Sequence, residues 1–228
     1  MKHAGKATRA ALRLIYWSLV AIVALIFAGV LARHLGNLVV TVASGLVGLW
    51  LVFSVFCLYF FRDPEPTVPS AADVILSPAS GKVDVVTEAD EPDFMGGRCH
   101  RVSVFLSIFD VHVQRAPVAG RVAFYRQTPG KFVNALQPDS ALENENLYLG
   151  FESGEAPGEK IGVRLIAGLI ARRIVPWVRR GDAVARGERI SLIQFGSRVD
   201  VYLPMSVRVE VKPGDRVRGG ETVLARRT

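Results

Sequence analysis

Two long runs without a charged residue open this chain and limit what it can become. "LIYWSLVAIVALIFAGVLA" fills Leu14 to Ala32, and "LGNLVVTVASGLVGLWLVFSVFCLYFF" fills Leu35 to Phe61. About 20 apolar residues in a helix cross roughly 30 Å of hydrocarbon, and both runs reach that length. The first run is longer than a signal-peptide core, and no small-residue cleavage site follows it. The sequence therefore predicts a two-helix transmembrane hairpin within residues 1–61, in preference to two buried core helices or a signal peptide plus one helix.

Charge gives the hairpin an orientation. All 21 acidic residues lie after position 61. Lys2, Lys6, Arg9 and Arg13 precede the first run, while Arg33 alone stands in the connection. Positive residues favour the cytoplasmic side, so both the N-terminus and the domain after the second run are expected there, at the inner membrane of the cell. Residues 62–228 carry 23 basic and 21 acidic residues, a net of +2. The basic balance thus belongs mostly to the anchor, and the sequence predicts no nucleic-acid partner. Cys57 and Cys99 offer neither a disulfide framework nor a metal spacing.

The proline-rich "FFRDPEPTVPS" (60–70) closes the membrane part, and residues 62–76 read as a stiff, extended linker. From 77 to 228 come short runs rich in Val, Ile and Phe, punctuated by glycine and proline. They predict a β-dominated (α+β) domain, with "LIAGLIARRI" as the ambiguous segment. Within it "GDAVARGERI" (181–190) echoes "GDRVRGGETV" (214–223). Each pairs a Gly-Asp turn with an inward valine and a Gly-Glu strand entry. These resemble the hammerhead turns of biotinyl and lipoyl carriers, without a lysine at the modified position, and so point to barrel-sandwich-like elements. "SPASGKVDVV" and "APVAGRVAFY" are similar strand entries.

One stretch breaks its own pattern. In "IQFGSRVDVYLP" (193–204) apolar residues alternate as in a strand, yet Gly196-Ser197 interrupts them. Glycine there signals either a bulge or a peptide bond that reacts. Of the four histidines, His112 lies in an apolar strand-like run, where a structural role is the ordinary reading. Without a Gly-x-Ser-x-Gly elbow, Ser197 and His112 do not indicate a hydrolase.

Taken together, "YFFRDPEP" (59–66), "SPASGKV" (77–83), "FLSIFDVHVQRAPVAG" (105–120), "PGKFVNA" (129–135), "ENEN" (143–146), "IAGLIARRIV" (166–175) and "FGSRVDVYLP" (195–204) resemble the short, membrane-anchored phosphatidylserine decarboxylases. The resemblance spans nearly the whole chain. It implies self-cleavage between Gly196 and Ser197, with Ser197 becoming a covalent pyruvoyl group, the enzyme's own cofactor. That group would take up the amine of a serine headgroup and act as the electron sink when carbon dioxide departs. The implied substrate is phosphatidylserine in the bilayer and the product phosphatidylethanolamine, with no metal required. The resemblance also implies a homodimer and two cleavage fragments, 1–196 and 197–228, that stay together. His112 would be the base for the Ser197 hydroxyl.

Two positions depart from the family pattern. Ser80 in "SPASG" stands where the family carries an aspartate that orients the histidine, and Pro176 precedes Trp177 where cysteine is usual. Serine supplies no charge to an imidazolium. Slower cleavage, or another acid such as Asp84 or Asp110, would follow. An uncleaved, non-catalytic membrane homologue and a decarboxylase of a related serine lipid are the rival readings. Arg172, Arg173, Arg179 and Arg180 around Trp177 read equally as a membrane-surface contact or a solvated face.

Overall fold

The structure is a computed structural model, which describes residues 5–31, 37–130, 144–168, 173–194 and 197–228. Its internal contacts divide the chain between Asp63 and Pro64. In the N-terminal unit, helix α1 (Lys6–Leu31) and helix α2 (Asn37–Phe60) are each long and apolar enough to cross a membrane. Helix α1 starts ahead of the uncharged run because Lys6–Arg13 is built of Ala, Lys, Arg and Leu, all strong helix formers, with a single Thr. Two polar side chains of the apolar pair are linked, while the buried Ser54 Oγ has no partner among the described residues. Trp50 Nε1 donates to Ser18 Oγ at 2.7 Å, and Ser18 Oγ donates to the Ile15 carbonyl at 2.9 Å.

From Pro64 onward the described residues form strands. In chain order they are β1 (Val74–Leu76), β2 (Gly81–Glu91), β3 (Gly97–Leu106), β4 (Val113–Arg115), β5 (Gly120–Thr128), β6 (Asn146–Ser153) and β7 (Lys160–Ala167). There follow β8 (Arg173–Pro176), β9 (Ala183–Val184), β10 (Arg189–Gln194), β11 (Ser197–Leu203), β12 (Val207–Val209), β13 (Arg216–Val217) and β14 (Val223–Arg227). A curled, half-barrel sheet runs β13-β2-β3-β11-β7-β6-β5-β9, and two three-stranded sheets run β1-β14-β12 and β4-β10-β8. The ambiguous "LIAGLIARRI" holds the end of β7 and the start of β8; its residues 169–172 lie outside the described residues. Val83, Val102, Val104, Val122, Leu147, Leu149, Val163, Leu165, Val199 and Val201 belong to the buried core cluster beneath the large sheet.

The sheet order is a palindrome of two repeats. Strands β1, β2, β3, β11, β12, β13 and β14 correspond in turn to β4 through β10. Matching hydrogen bonds support the correspondence. Gly214 N donates to Val83 O at 2.8 Å and Val83 N to Asp215 O at 2.9 Å; Gly181 N donates to Val122 O at 2.7 Å and Val122 N to Asp182 O at 2.9 Å. Across the repeats, Leu76 N reaches Pro117 O at 3.0 Å while Arg115 N reaches Pro78 O at 2.8 Å. The echoed turns are the equivalent corners, with positive φ at Gly181 and Gly187 in one and at Gly214 and Gly220 in the other. The second repeat is continuous and sits between β3 and β11 of the first. Residues 195 and 196 therefore join the inserted repeat back to the enclosing one. "IQFGSRVDVYLP" accordingly holds parts of two strands in different sheets, β10 and β11, and Phe195 and Gly196 between them lie outside the described residues.

The linker lies along the two corners. Arg115 Nη2 donates to Pro64 O at 2.8 Å, Arg189 pairs with Glu65 at 2.9 Å, and Arg186 Nη1 donates to Pro69 O at 3.0 Å. Val68 packs where Gly187 has no side chain, since a Cβ there would stand 2.6 Å from Val68 Cγ2. At Gly214, also at positive φ, a Cβ would meet nothing within 4 Å. Gly214→Ala should therefore cost only the left-handed strain, about 1–2 kcal/mol. Gly187→Ala adds displacement of the linker and should lower the thermal midpoint of the purified protein further. Equal midpoints for the two variants would contradict this seating.

Candidate active site

Ser197 opens β11, in the central antiparallel pair of the large sheet, opposite Leu106 of β3 and Ala167 of β7. Its side chain is fully buried, and its Oγ has no hydrogen-bond partner among the described residues. Leaving a buried hydroxyl unpaired costs on the order of 1–3 kcal/mol, so such a group calls for an explanation. Gly196, the other half of the suspected bond, lies outside the described residues.

His112 is carried to the same corner by two routes. It follows the turn that leaves β3 just after Leu106, the partner of Ser197. Its carbonyl accepts from Ile193 N at 3.1 Å, near the end of β10 and shortly before Ser197 in the chain. The ring is fully buried, and Nδ1 stands 2.9 Å from the Asp110 carbonyl oxygen. A carbonyl only accepts, so this contact assigns the proton of the neutral ring to Nδ1 and the lone pair to Nε2. Gln114 Nε2 also donates to the His112 carbonyl, at 2.7 Å, and Gln114 Oε1 accepts from Ser191 Oγ at 2.7 Å. The His112 backbone is thus held from β4 and β10, and its ring by the Asp110 carbonyl in the turn before β4. Among the described residues no hydrogen bond reaches Ser197 Oγ, from His112 or elsewhere, in this conformation.

The acids suggested by the sequence have other work. Asp110 presents its carbonyl to His112, while its carboxylate accepts from Ser107 N at 2.8 Å and Ser107 Oγ at 2.7 Å. Asp84 sits at a bulge of β2, and its Oδ2 pairs with Arg198 Nη1 at 3.0 Å. Arg198 Nε in turn donates to Asp200 at 3.0 Å. Burial raises the Asp84 carboxyl above its ordinary range, with Arg198 opposing. This chain of charges fixes the residue after Ser197 against the outer side of β2. Ser80 Oγ accepts from Gly219 N at 2.9 Å, closing the corner turn that Gly220 continues.

Other residues complete the surroundings. Asn144, buried, donates from Nδ2 at 2.7 Å to the carbonyl of Ala167, the β7 partner of Ser197. It lies in the "ENEN" segment and Gln114 in "FLSIFDVHVQRAPVAG", and sequence reasoning singled out neither residue. Pro176 faces Ser191 on β8, an edge strand, where a missing N–H is tolerated. His100 pairs with Leu203 at the far end of β11 and takes no part. Arg173, Arg179 and Arg180 are exposed and Trp177 half-buried; Arg172 lies outside the described residues.

This corner belongs to a chain with well-matched relatives. The family model described as phosphatidylserine decarboxylase matches residues 53–225. A phosphatidylserine decarboxylase proenzyme of Desulfotalea psychrophila is 46% identical over 176 residues, covering 77% of this chain and 81% of that protein. The proenzyme of Symbiobacterium thermophilum is 47% identical over 173 residues, covering 76% and 80%. That of Erythrobacter litoralis is 47% identical over 181 residues, covering 74% and 72%. With the match running from the end of the second apolar helix to the last strand, the chain belongs to the phosphatidylserine decarboxylase family.

Proposed function

We propose that this chain is a proenzyme that cuts itself between Gly196 and Ser197 and then decarboxylates phosphatidylserine to phosphatidylethanolamine at the inner face of the cell membrane. The observation that carries the reading is the buried Ser197 Oγ at the start of β11, without a hydrogen-bond partner among the described residues, with His112 oriented at the same corner. In the cut, His112 Nε2 takes the proton of the Ser197 hydroxyl while Oγ bonds to the Gly196 carbonyl carbon. The peptide C–N bond breaks, and the freed nitrogen takes a proton, leaving an ester. Loss of the Ser197 α-proton then expels the Gly196 carboxylate from Cβ. Water hydrolyses the resulting enamine through its imine and releases ammonia.

Ser197 suits a pyruvoyl group, because its side chain is already shielded and its hydroxyl holds no hydrogen bond among the described residues. When formed, that group supplies the electron sink for decarboxylation. The residues around it hold it in place. Strand β11 remains clasped between β3 and β7 after the cut, and β13 and β14 pair with β2 and β1, so the fragment 197–228 stays bound to 1–196. The buried pair Arg198–Asp200 anchors the strand immediately behind the new terminus. Purified protein reconstituted with phosphatidylserine should release carbon dioxide and accumulate phosphatidylethanolamine. Cleaved protein that released none would overturn the assignment, and release from serine lipids with other tails would redirect it.

Ser80 bears on how fast the cut occurs. Its hydroxyl serves Gly219, whereas an aspartate in its place can accept the same amide bond and add negative charge near the corner. Ser80→Asp is expected to raise the fraction cleaved at a fixed time severalfold, read on a denaturing gel. Equal and complete cleavage of both chains would show Ser80 to be harmless.

A further inference from the structure

The turn between β3 and β4 carries the most exposed large apolar side chain among the described residues of 64–228. Phe109 is 62% exposed and its neighbour Ile108 36%. The turn is firmly made. The Asp110 carboxylate accepts from both Ser107 N and Ser107 Oγ, and Asp110 N donates back to Ser107 O at 3.0 Å. It also stands at the reactive corner, since Leu106 on one side is the partner of Ser197 and Asp110 on the other holds His112. Cations accompany it. Lys82, exposed, lies across from Phe105, and Arg216, with a 78% exposed side chain, reaches Asp110 at 3.5 Å.

Single apolar residues on a surface need no explanation, but two adjacent ones with flanking cations have the make-up of an interfacial contact. We propose that Ile108 and Phe109 dip into the bilayer at the boundary between headgroups and acyl chains, setting the Ser197 corner at headgroup depth. The inference rests on the lipid-substrate reading above. The occupant is the bilayer because the same chain carries two helices apolar enough to enter one, which brings that phase within reach of the domain. Lys82 and Arg216 then meet anionic headgroups, to which basic residues near a membrane surface are drawn.

The test uses the full chain in vesicles of phosphatidylcholine and phosphatidylserine. The added emission of a Phe109→Trp variant over its parent should be quenched by lipids brominated high on the acyl chain, more than by lipids brominated at its end. In parallel, Ile108→Ser with Phe109→Ser should lower turnover of bilayer phosphatidylserine by about tenfold or more, because neither hydroxyl side chain gains by leaving water for the acyl chains. Turnover of a short-chain, monomerically dissolved phosphatidylserine should stay within about twofold of the parent's, since no bilayer insertion is needed there. Added emission that bromolipids leave unquenched would overturn the proposal. So would a double variant that matches the parent on vesicles or loses activity equally on both substrates. If the parent releases no carbon dioxide from either lipid, the functional reading fails instead, and the quenching result still decides where the turn lies.

Discussion

Ser197→Ala leaves the chain whole and lowers carbon dioxide release by at least about 10⁴-fold, because the residue supplies both the cleaving nucleophile and the group formed from it. The same substitution should make the fold no less stable than the uncut parent, and by about 1 kcal/mol more so. It removes a buried hydroxyl that has no partner among the described residues, so the usual desolvation penalty disappears with it. Loss of function with retained or increased stability is the mark of a residue kept for its chemistry. A Ser197→Ala chain that unfolds earlier than the uncut parent would mean that the hydroxyl is structural. Cleavage that survived the substitution would place the reactive bond elsewhere.

His112→Gln is the second large effect. Glutamine has an amide that can still donate to the Asp110 carbonyl, so the turn after β3 keeps its anchor while the basic nitrogen is removed. Cleavage of the variant should be slower by about 10²–10⁴-fold, the usual contribution of a positioned general base. The pH dependence separates this role from packing. The parent should cleave more slowly as the medium is acidified and imidazole lone pairs are protonated, whereas the residual cleavage of His112→Gln should lack that acid-side fall. A merely structural histidine would, when replaced, shift the thermal midpoint and leave the shape of the pH profile unchanged.

Much of the fold could be read from residue patterns, and the reasons are local. The apolar runs around Leu14–Ala32 and Leu35–Phe61 had to be helices of membrane length, and the helix boundary at Lys6 differed only because alanines extend it. The echoed Gly-Asp-x-Val turns were visible because positive φ restricts the residue type at Gly181 and Gly214. That the echo marks a whole inserted repeat was not visible. It depends on pairings such as β13 with β2 and β9 with β5, which join distant residues and leave no period in the sequence.

The site divides in the same way. Ser197 and His112 stood out through motif, while the orientation of His112 comes from a backbone carbonyl, which has no residue identity to read. Asp84 and Asp110 were reasonable carboxylates on charge alone. Their use by Arg198 and Ser107 follows from a β-bulge and a tight turn that only the folded backbone defines. The exposed pair Ile108-Phe109 looked like one more piece of apolar strand, because sequence does not say which face of a turn meets solvent.

The central claim is that the bond before Ser197 breaks and leaves a blocked terminus. Mass spectrometry of the purified full-length protein tests it directly. Two chains are expected, 1–196 with a free carboxylate and 197–228 beginning in a pyruvoyl group, the smaller one refractory to Edman degradation. An intact 24.9 kDa chain that persists while carbon dioxide is released from phosphatidylserine would contradict it.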